Sequence, residues 1–396
     1  MNKSSRRLFL IVAVVLAAAL SFVWGWRQSQ LDKFRAACQS AANAKDWTRL
    51  ELLGREWSRK APDEPLAWYW LGESLQAQRR YLDSVNAFTQ IPIDGPRGID
   101  AANARMQLLF HALDRPRDAL VIADKLLEID PRLPDPRRNR IYFFAMTRQR
   151  SRVLPDIREA IVHRADLPDH YIYLLNVEDM TFRDGDIVTQ KWLRQNPDDH
   201  EIRIANLFHR ARNARASLIV APTPEREAEH KRLQAEVAEN LSRFPMELSL
   251  LEFTMTIAMD RGDMDAIGDL LASAPESAGE DLAFWLWRGR YAIHTKDFED
   301  AEKSLLRVIE LAPLAWQARN DLAQVHRFTN RPESAGSFQK LAVEGARLAE
   351  VVRLKAHIRD VSSATLTEIG KYASDCGDWQ VADGVYRRNL PKNPTK

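Results

Sequence analysis

The stretch Pro65–Ile91, PLAWYWLGESLQAQRRYLDSVNAFTQI, decides how this chain folds. Its first half carries residues at spacings i, i+3, i+4 and i+7, which places them on one face of a helix. A polar turn, Gln78–Arg80, separates this half from a second helical pattern, and Pro92 ends the second. The stretch therefore predicts two antiparallel helices joined by a short turn. The residues on the two helical faces are Trp68, Leu71, Gly72 and Leu75, then Tyr81, Ser84, Phe88 and Ile91.

The hairpin recurs along the chain at a period of about 34 residues. Ser84, early in the second helix of the quoted hairpin, follows Leu50 by 34 residues and precedes Ala119 by 35. The same position recurs at intervals of 34 in the C-terminal half, at Ile267, Ala301 and Ala335. A fixed period of this size is typical of stacked structural repeats. It predicts an array in which each helix pair packs against its neighbours.

Two further positions keep the same register. Each turn ends with an aspartate followed by a large apolar residue, and an aspartate at that position can cap the second helix. These pairs are Asp46-Trp47, Asp263-Met264, Asp297-Phe298 and Asp378-Trp379. A small residue recurs at the eighth position, where we expect the two helices to cross closely. These small residues are Cys38, Gly72, Gly289, Ala323 and Gly370, so Cys38 needs no chemical role.

The units resemble tetratricopeptide repeats, whose pattern is Trp-x2-Leu-Gly-x2-Tyr followed by Ala, an aromatic residue, Ala and Pro. The quoted hairpin matches one copy. A second copy consists of Trp285, Gly289, Phe298, Ala301, Leu305, Val308 and Pro313. The resemblance implies an all-α fold, a right-handed superhelical solenoid of antiparallel helix pairs. It also implies a role in binding proteins or peptides.

The resemblance is uneven, and it divides the chain into segments of about ten helix pairs in total. Tetratricopeptide-like repeats are predicted at 31–131 and 245–346. The segment between them, 132–244, keeps the helical period but loses the signature residues and contains an enlarged hairpin around Ala221–Pro224. After it, a divergent repeat or cap is predicted at 347–390, followed by a tail at 391–396.

The N-terminus carries a separate signal. After a short basic head, 1–7, residues 8–26 (LFLIVAVVLAAALSFVWGW) contain no charged side chain. A run of this length approaches the roughly 20 residues that span a bilayer, and Trp24 and Trp26 suit the headgroup boundary. We therefore predict a transmembrane helix or signal anchor at 8–26. A basic head before an apolar run favours a repeat domain outside the cytoplasm, at a bacterial-type inner membrane.

Two alternatives exist for this segment. Ala17 and Ala19 stand at the small-residue positions of a signal-peptide cleavage site. Ser5–Leu10 also resembles a twin-arginine export signal, although Ile11 stands where a lysine is common. Because basic residues also follow the apolar run, the charge bias sets the orientation only weakly.

Composition and motifs favour binding over catalysis. The chain has no glycine-rich phosphate loop, no His-Glu-x-x-His, no Cys-x-x-Cys and no nucleophile elbow. Its net charge of +2 gives no reason to expect a nucleic-acid partner. The best candidate for a metal site, Asp198–Glu201, precedes a predicted helix, where capping is the simpler account. We expect no enzymatic activity, no cofactor and no metal.

The resemblance places a partner on the concave surface formed by the first helices of the repeats. The positions that map to this surface are Arg35, Gln39, Tyr69, Glu73, Gln76 and Arg290. One subtype of the family clamps a peptide C-terminal carboxylate with a Lys/Arg–Asn set. Arg35 fills one such position, but Gln39 and Trp70 stand where that set needs asparagine. We therefore do not expect that ligand class.

An arginine-rich stretch is the second candidate surface. The window 132–164 holds nine arginines against three acidic residues. Because guanidinium groups suit carboxylate and phosphate, Arg137, Arg138 and Arg140 are candidates for contacts with anionic lipid or a polyanionic glycan. A solvated, partly salt-bridged surface is the alternative interpretation.

The sequence as a whole predicts a membrane-anchored scaffold that recruits partner proteins or peptides on its repeats. A binder of anionic lipid or glycan, or an accessory subunit of an envelope enzyme complex, is the alternative.

Overall fold

The computed structural model describes residues 3–353 and 361–389, the side chains of 3–20, 23, 24 and 389 excepted. Over these residues the chain is all-α, with twenty α-helices joined mostly by short turns. The predicted class, antiparallel helix pairs of the tetratricopeptide kind, is thereby confirmed. The predicted tail at 391–396 lies outside the described residues.

Clustering of contacts divides the chain into two compact units, Met1–Ile122 (unit one) and Ala123–Lys396 (unit two). The division falls within a helix, eight to nine residues before the end of the predicted repeat block at 131. The helices of unit one, the last of which continues into unit two, are α1 (Lys3–Asn43), α2 (Trp47–Lys60), α3 (Pro65–Ala77), α4 (Tyr81–Thr89), α5 (Gly98–Gln107), a π-helical turn (Leu108–Ala112) and α6 (Pro116–Ile129).

The hairpin α3–α4 shows why its sequence folds as it does. Pro65 is at the first position of α3, where its missing N–H is not needed. A Cβ built on Gly72 would lie 2.5 Å from the Phe88 ring, so the two helices cross at a distance that only glycine permits. The Ser84 hydroxyl donates a hydrogen bond of 2.8 Å to the Gly72 carbonyl at the same crossing. The predicted close approach at the eighth position is confirmed here.

Helix α1 continues from the N-terminal segment into the first repeat without interruption. The predicted membrane span at 8–26 falls within this helix, but most of its side chains lie outside the described residues. Among the residues whose side chains are described, no helix has both the length and the apolar character that crossing a bilayer requires.

Unit two contains the remaining helices and begins with the end of α6. They are α7 (Pro134–Met146), α8 (Arg150–Val162), α9 (Pro168–Leu175), α10 (Gly185–Gln195), α11 (His200–Val220), α12 (Pro224–Arg243), α13 (Leu248–Arg261), α14 (Met264–Ala272), α15 (Leu282–Thr295), α16 (Phe298–Leu311), α17 (Trp316–Phe328), α18 (Pro332–Arg353), α19 (Ser363–Asp375) and α20 (Trp379–Asn389). The enlarged hairpin is α11–α12. Helix α18 continues through residue 347, where the sequence predicted a break.

Unit two differs from a simple array because its last helix pair contacts its early helices. α20 packs against α8, while α9 packs against α18 and α19. Arg158 on α8 donates two hydrogen bonds, of 2.6 and 2.5 Å, to the Asp378 carboxylate, 220 residues further along the chain. A Cβ on Gly384 would lie 2.5 Å from the Tyr171 hydroxyl, so α20 and α9 are also in close contact. The expectation that each repeat contacts only its neighbours is therefore wrong for this unit.

A buried ion cluster joins the helices of unit two. The Glu252 carboxylate on α13 accepts hydrogen bonds from Arg148 at 2.7 Å and from Arg150 at 2.9 and 3.1 Å. The exposed fractions of the three side chains are 0% for Arg148, 2% for Arg150 and 13% for Glu252. Both arginines also donate to backbone carbonyls of the segment Val177–Met180. Because an unpaired buried charge is costly, both guanidinium groups depend on this one carboxylate.

Replacing Glu252 by glutamine should therefore lower the free energy of unfolding by about 3 to 5 kcal/mol, since two buried cations lose their common anion. Glu229→Gln is the matched control, because Glu229 pairs with Arg232 on the exposed surface of α12 and should contribute less than about 1 kcal/mol. Urea unfolding of the full-length protein in detergent measures both values. Equal losses in the two variants would contradict the structural role of the cluster.

Candidate partner-binding groove

A groove of about 430 Å³ lies in unit one. Helix α3 contributes Glu73, Gln76 and Ala77, and the first residues of α2 and α4 contribute Trp47 and Tyr81. The other side chains come from the end of α5 and the π-helical turn, namely Gln107, Leu108, His111 and Ala112. The structure thus brings two of the predicted concave-face residues, Glu73 and Gln76, into one groove.

Three groove residues follow from the repeat register. Gln107 follows Glu73 by 34 residues, as Glu73 follows Gln39, so the three occupy one repeat position on α5, α3 and α1. The sequence analysis did not extend the register to Gln107, although the spacing was sufficient to find it. Gln39 is exposed on α1 and donates a hydrogen bond of 3.0 Å to Asn43 on the same helix.

The π-helical turn Leu108–Ala112 is the feature of the groove that sequence reasoning missed. It follows α5 directly, and the Leu113 N–H bonds the Leu108 carbonyl at 3.0 Å. Single π-helical turns are rare and occur frequently at functional sites. This turn provides three of the groove residues, and no known sequence signal would have located it.

Two aromatic side chains line the groove because of their places in the hairpins. Trp47 and Tyr81 each begin the second helix of a pair and are half-buried. Asp46 caps α2 by accepting a hydrogen bond of 3.0 Å from the Arg49 N–H, as the sequence predicted. The apolar residue after the turn therefore packs in the hairpin and also forms part of the groove surface.

Glu73 carries the electrostatic character of the groove. Burial raises the pKa of its carboxyl above the ordinary value, and this effect outweighs the lowering by Arg97 and by a hydrogen bond from Tyr69. Arg97 is itself engaged, since it donates to Asp100 at 2.9 Å and lies 5.0 Å from the centre of the Tyr69 ring. The carboxylate is thus only partly compensated by its own unit.

The other predicted concave-face residues lie elsewhere. Arg35 is exposed on α1 and pairs with Asp32 at 2.9 Å. Tyr69 is half-buried, with its ring 5.8 Å from that of Phe88. Arg290 belongs to unit two, where it donates to Asp321 and Gln317 at 2.8 and 2.9 Å, as described next.

The surroundings of Arg290 are occupied by unit two itself. The two carboxylate oxygens of the buried Glu178 accept hydrogen bonds of 2.9 Å from the backbone N–H groups of Gln317 and Ala318. These N–H groups belong to the first turn of α17, a position that favours a negative charge. A side chain of the same unit therefore takes the place that an external anion would occupy beside Arg290.

The arginines proposed for an anionic partner are engaged inside unit two. Arg137 is 6% exposed and donates to the Pro131 carbonyl at 3.1 Å. Arg138 pairs with Asp169 at 3.1 Å. Arg140 pairs with Asp156 at 3.0 Å and with Asp124 at 2.5 Å. The expectation of solvated cations is wrong for Arg137, and the other two already have carboxylate partners.

The acidic cluster Asp198–Glu201 has structural contacts in unit two. The Asp199 carboxylate accepts a hydrogen bond of 3.1 Å from the Ile202 N–H, which caps α11 as the simpler interpretation predicted. His200 Nε2 lies 2.5 Å from a carboxylate oxygen of Glu247. These contacts account for both side chains without a metal ion.

The described residues thus define a helical-repeat protein of the tetratricopeptide kind, with a groove in its N-terminal unit. No protein-family model matches the chain, and no curated protein sequence matches it.

Solved structures with similar folds have low identity to the chain. A tetratricopeptide repeat protein from Parabacteroides merdae is 14% identical over 74% of this chain and 98% of its own, with a TM-score of 0.27. Yeast Tom70 is 12% identical over 90% and 88%, with a TM-score of 0.28. A human IFIT1 dimer with PPP-AAAA is 14% identical over 90% and 88%, with a TM-score of 0.33. At these scores the overlays carry no argument about function.

The contact between Glu178 and α17 predicts a pH dependence of stability. Burial raises the pKa of Glu178 from 4.5 to about 7, with Arg290 and Asp321 also facing it. Between these values the folded protein keeps a proton that the unfolded chain has lost. The free energy of unfolding should therefore fall as pH rises through this window, by up to about 1.4 kcal/mol per pH unit from this group.

Glu178→Gln removes the titrating group and should remove this contribution. Urea unfolding of both proteins at a series of pH values measures the difference between their unfolding free energies. We expect the wild type to lose stability relative to the variant as pH rises from about 5 to about 7. A difference that stays constant with pH would show that Glu178 does not titrate in this window.

Proposed function

We propose that this chain is a membrane-anchored scaffold that recruits partner proteins or peptides, and that the partner docks in the groove of unit one. The observation that carries the proposal is the groove itself. Its volume of about 430 Å³ lies within the range of roughly 300–1,000 Å³ that is usual for ligand sites. It combines aromatic surface with polar groups that can accept and donate hydrogen bonds.

The arrangement of the groove suits an extended peptide. Gln39, Glu73 and Gln107 repeat on successive first helices, which pack about 8–10 Å apart. An extended chain advances about 3.3 Å per residue, so every third residue of such a peptide would reach the next helix. A short extended segment of a partner could therefore contact all three positions.

The contrast with unit two supports docking in unit one. In unit two, Arg290 and the first turn of α17 are engaged by Gln317, Asp321 and Glu178 of the same unit. In unit one, the polar side chains Glu73 and Gln76 line an open groove. A partner would meet the second surface without first displacing an internal ion pair.

The anchor is the second part of the proposal. The uncharged stretch 8–26 supports it, together with the continuity of α1 from Lys3 to Asn43. At 1.5 Å per residue, the helix from Arg27 to Asn43 would place the first turn, next to Trp47, about 25 Å from the bilayer. A docked partner would thus be held close to the membrane, on the outer side of a bacterial-type inner membrane. We infer that the protein acts there by binding rather than by catalysis.

Filling the groove should abolish recruitment. Ala77→Trp places a bulky ring among the groove residues and should reduce crosslinked partner in native membranes by at least about tenfold. Ala44→Trp is the matched control, since Ala44 is equally exposed in unit one but does not line the groove. The measurement is mass spectrometry of proteins crosslinked to the full-length chain. Equal recovery from the two variants would place docking elsewhere.

Anchoring is tested by extraction of membranes with alkaline carbonate. The full chain should remain in the membrane pellet, because transferring an apolar helix of this length to water is strongly unfavourable. A chain that begins at Leu31 should appear in the soluble fraction. The intact mass of the mature protein distinguishes the alternatives, since an anchor leaves residues 8–26 in place and cleavage after Ala19 removes most of them. Release of the uncleaved full chain by carbonate would contradict the proposal.

A further inference from the structure

We infer that the groove of unit one binds a cationic side chain, lysine or arginine, of an extended segment in the partner. The Glu73 carboxylate would be its counter-ion, with the rings of Trp47 and Tyr81 beside it. This inference rests on the proposed docking role of the groove and adds the chemistry of what docks there.

The charge of the groove is the first argument. Among its lining residues Glu73 is the one acidic side chain, and neither lysine nor arginine is present. Arg97, which influences Glu73 from outside the lining, is committed to Asp100 and to the Tyr69 ring. A half-buried carboxylate without full compensation favours an incoming positive charge, because the ligand restores the interaction that burial took from water.

The aromatic side chains are the second argument. A lysine or arginine head group is attracted to the face of an aromatic ring, and its aliphatic stem packs against apolar surface. Trp47 and Tyr81 supply such rings, and Leu108 supplies apolar surface in the same groove. A carboxylate with aromatic neighbours therefore fits a long cationic side chain better than it fits a small cation.

The amides are the third argument. The side-chain carbonyls of Gln76 and Gln107 can accept hydrogen bonds from a guanidinium group or from the backbone of a peptide. An acidic segment would instead bring a second carboxylate towards Glu73, and this repulsion provides discrimination against it. The groove thus selects by charge in the direction opposite to a carboxylate clamp.

The test uses fluorescein-labelled peptides and the full-length protein in detergent. The probes are three short peptides of equal length, one alternating lysine and serine, one glutamate and serine, and one glycine and serine. Fluorescence anisotropy should show the lysine peptide binding at least about tenfold more tightly than the other two. Equal affinity for the three peptides, or tighter binding of the glutamate peptide, would overturn the inference.

Variants assign the effect to Glu73. Glu73→Gln should weaken binding of the lysine peptide by at least about tenfold, whereas Glu56→Gln removes an exposed carboxylate of α2 that pairs with Lys60 and should leave the affinity unchanged. Glu73→Lys should reverse the preference towards the glutamate peptide. Loss of folding cannot produce a reversal, so this variant keeps the test informative even if stability falls. Equal effects of Glu73→Gln and Glu56→Gln would overturn the inference.

Crosslinking separates failure of this inference from failure of the docking role. If Ala77→Trp abolishes partner capture while Glu73→Gln does not, and the lysine peptide has no advantage, docking stands and the cationic ligand is wrong. If neither variant reduces capture, the docking role of the groove is wrong as well.

Discussion

In unit two, the carboxylate of Glu252 holds the guanidinium groups of Arg148 and Arg150, and both arginines also bind backbone carbonyls of Val177–Met180. Because neither cation can remain buried without its anion, α8, α13 and this segment must take their places together. The same segment carries Glu178, which binds the first turn of α17. Repeat arrays gain most of their stability between neighbouring repeats, whereas these contacts couple helices that are far apart in sequence.

The coupling gives the charged side chains of the two units different tasks. Arg138, Arg140 and Arg158 of unit two are each paired with a carboxylate of another helix or hairpin, and these pairs hold the unit together. In unit one, Glu73 lies in a groove and has only partial compensation from Tyr69 and Arg97. The surface available to a partner is therefore better developed in the unit that does not use its charges for closure.

The hairpins were predictable because their determinants are local. The contact between Gly72 and Phe88 and the cap at Asp46 depend on residues within one or two helices, so the sequence pattern contains them. The role of the arginine-rich window was not predictable in the same way. Its acidic partners include Asp124 and Asp169, which lie outside 132–164, so a count of charges within the window omitted them. The closure of unit two and the π-helical turn depend on tertiary contacts that no repeat pattern encodes.

Three glutamates show what distinguishes a structural carboxylate from one available to a ligand. Two buried arginines hold the pKa of Glu252 below its usual range, because they stabilise the charged form more than burial destabilises it. Burial raises the pKa of Glu178, yet both of its oxygens are bonded to backbone N–H groups, so its place in the fold is filled. The pKa of Glu73 is also raised, but its carboxylate lines a groove and faces an aromatic and amide surface. An incompletely compensated carboxylate in a cleft favours a binding role over a structural one, since a glutamine at this position would avoid the cost of desolvating the charge.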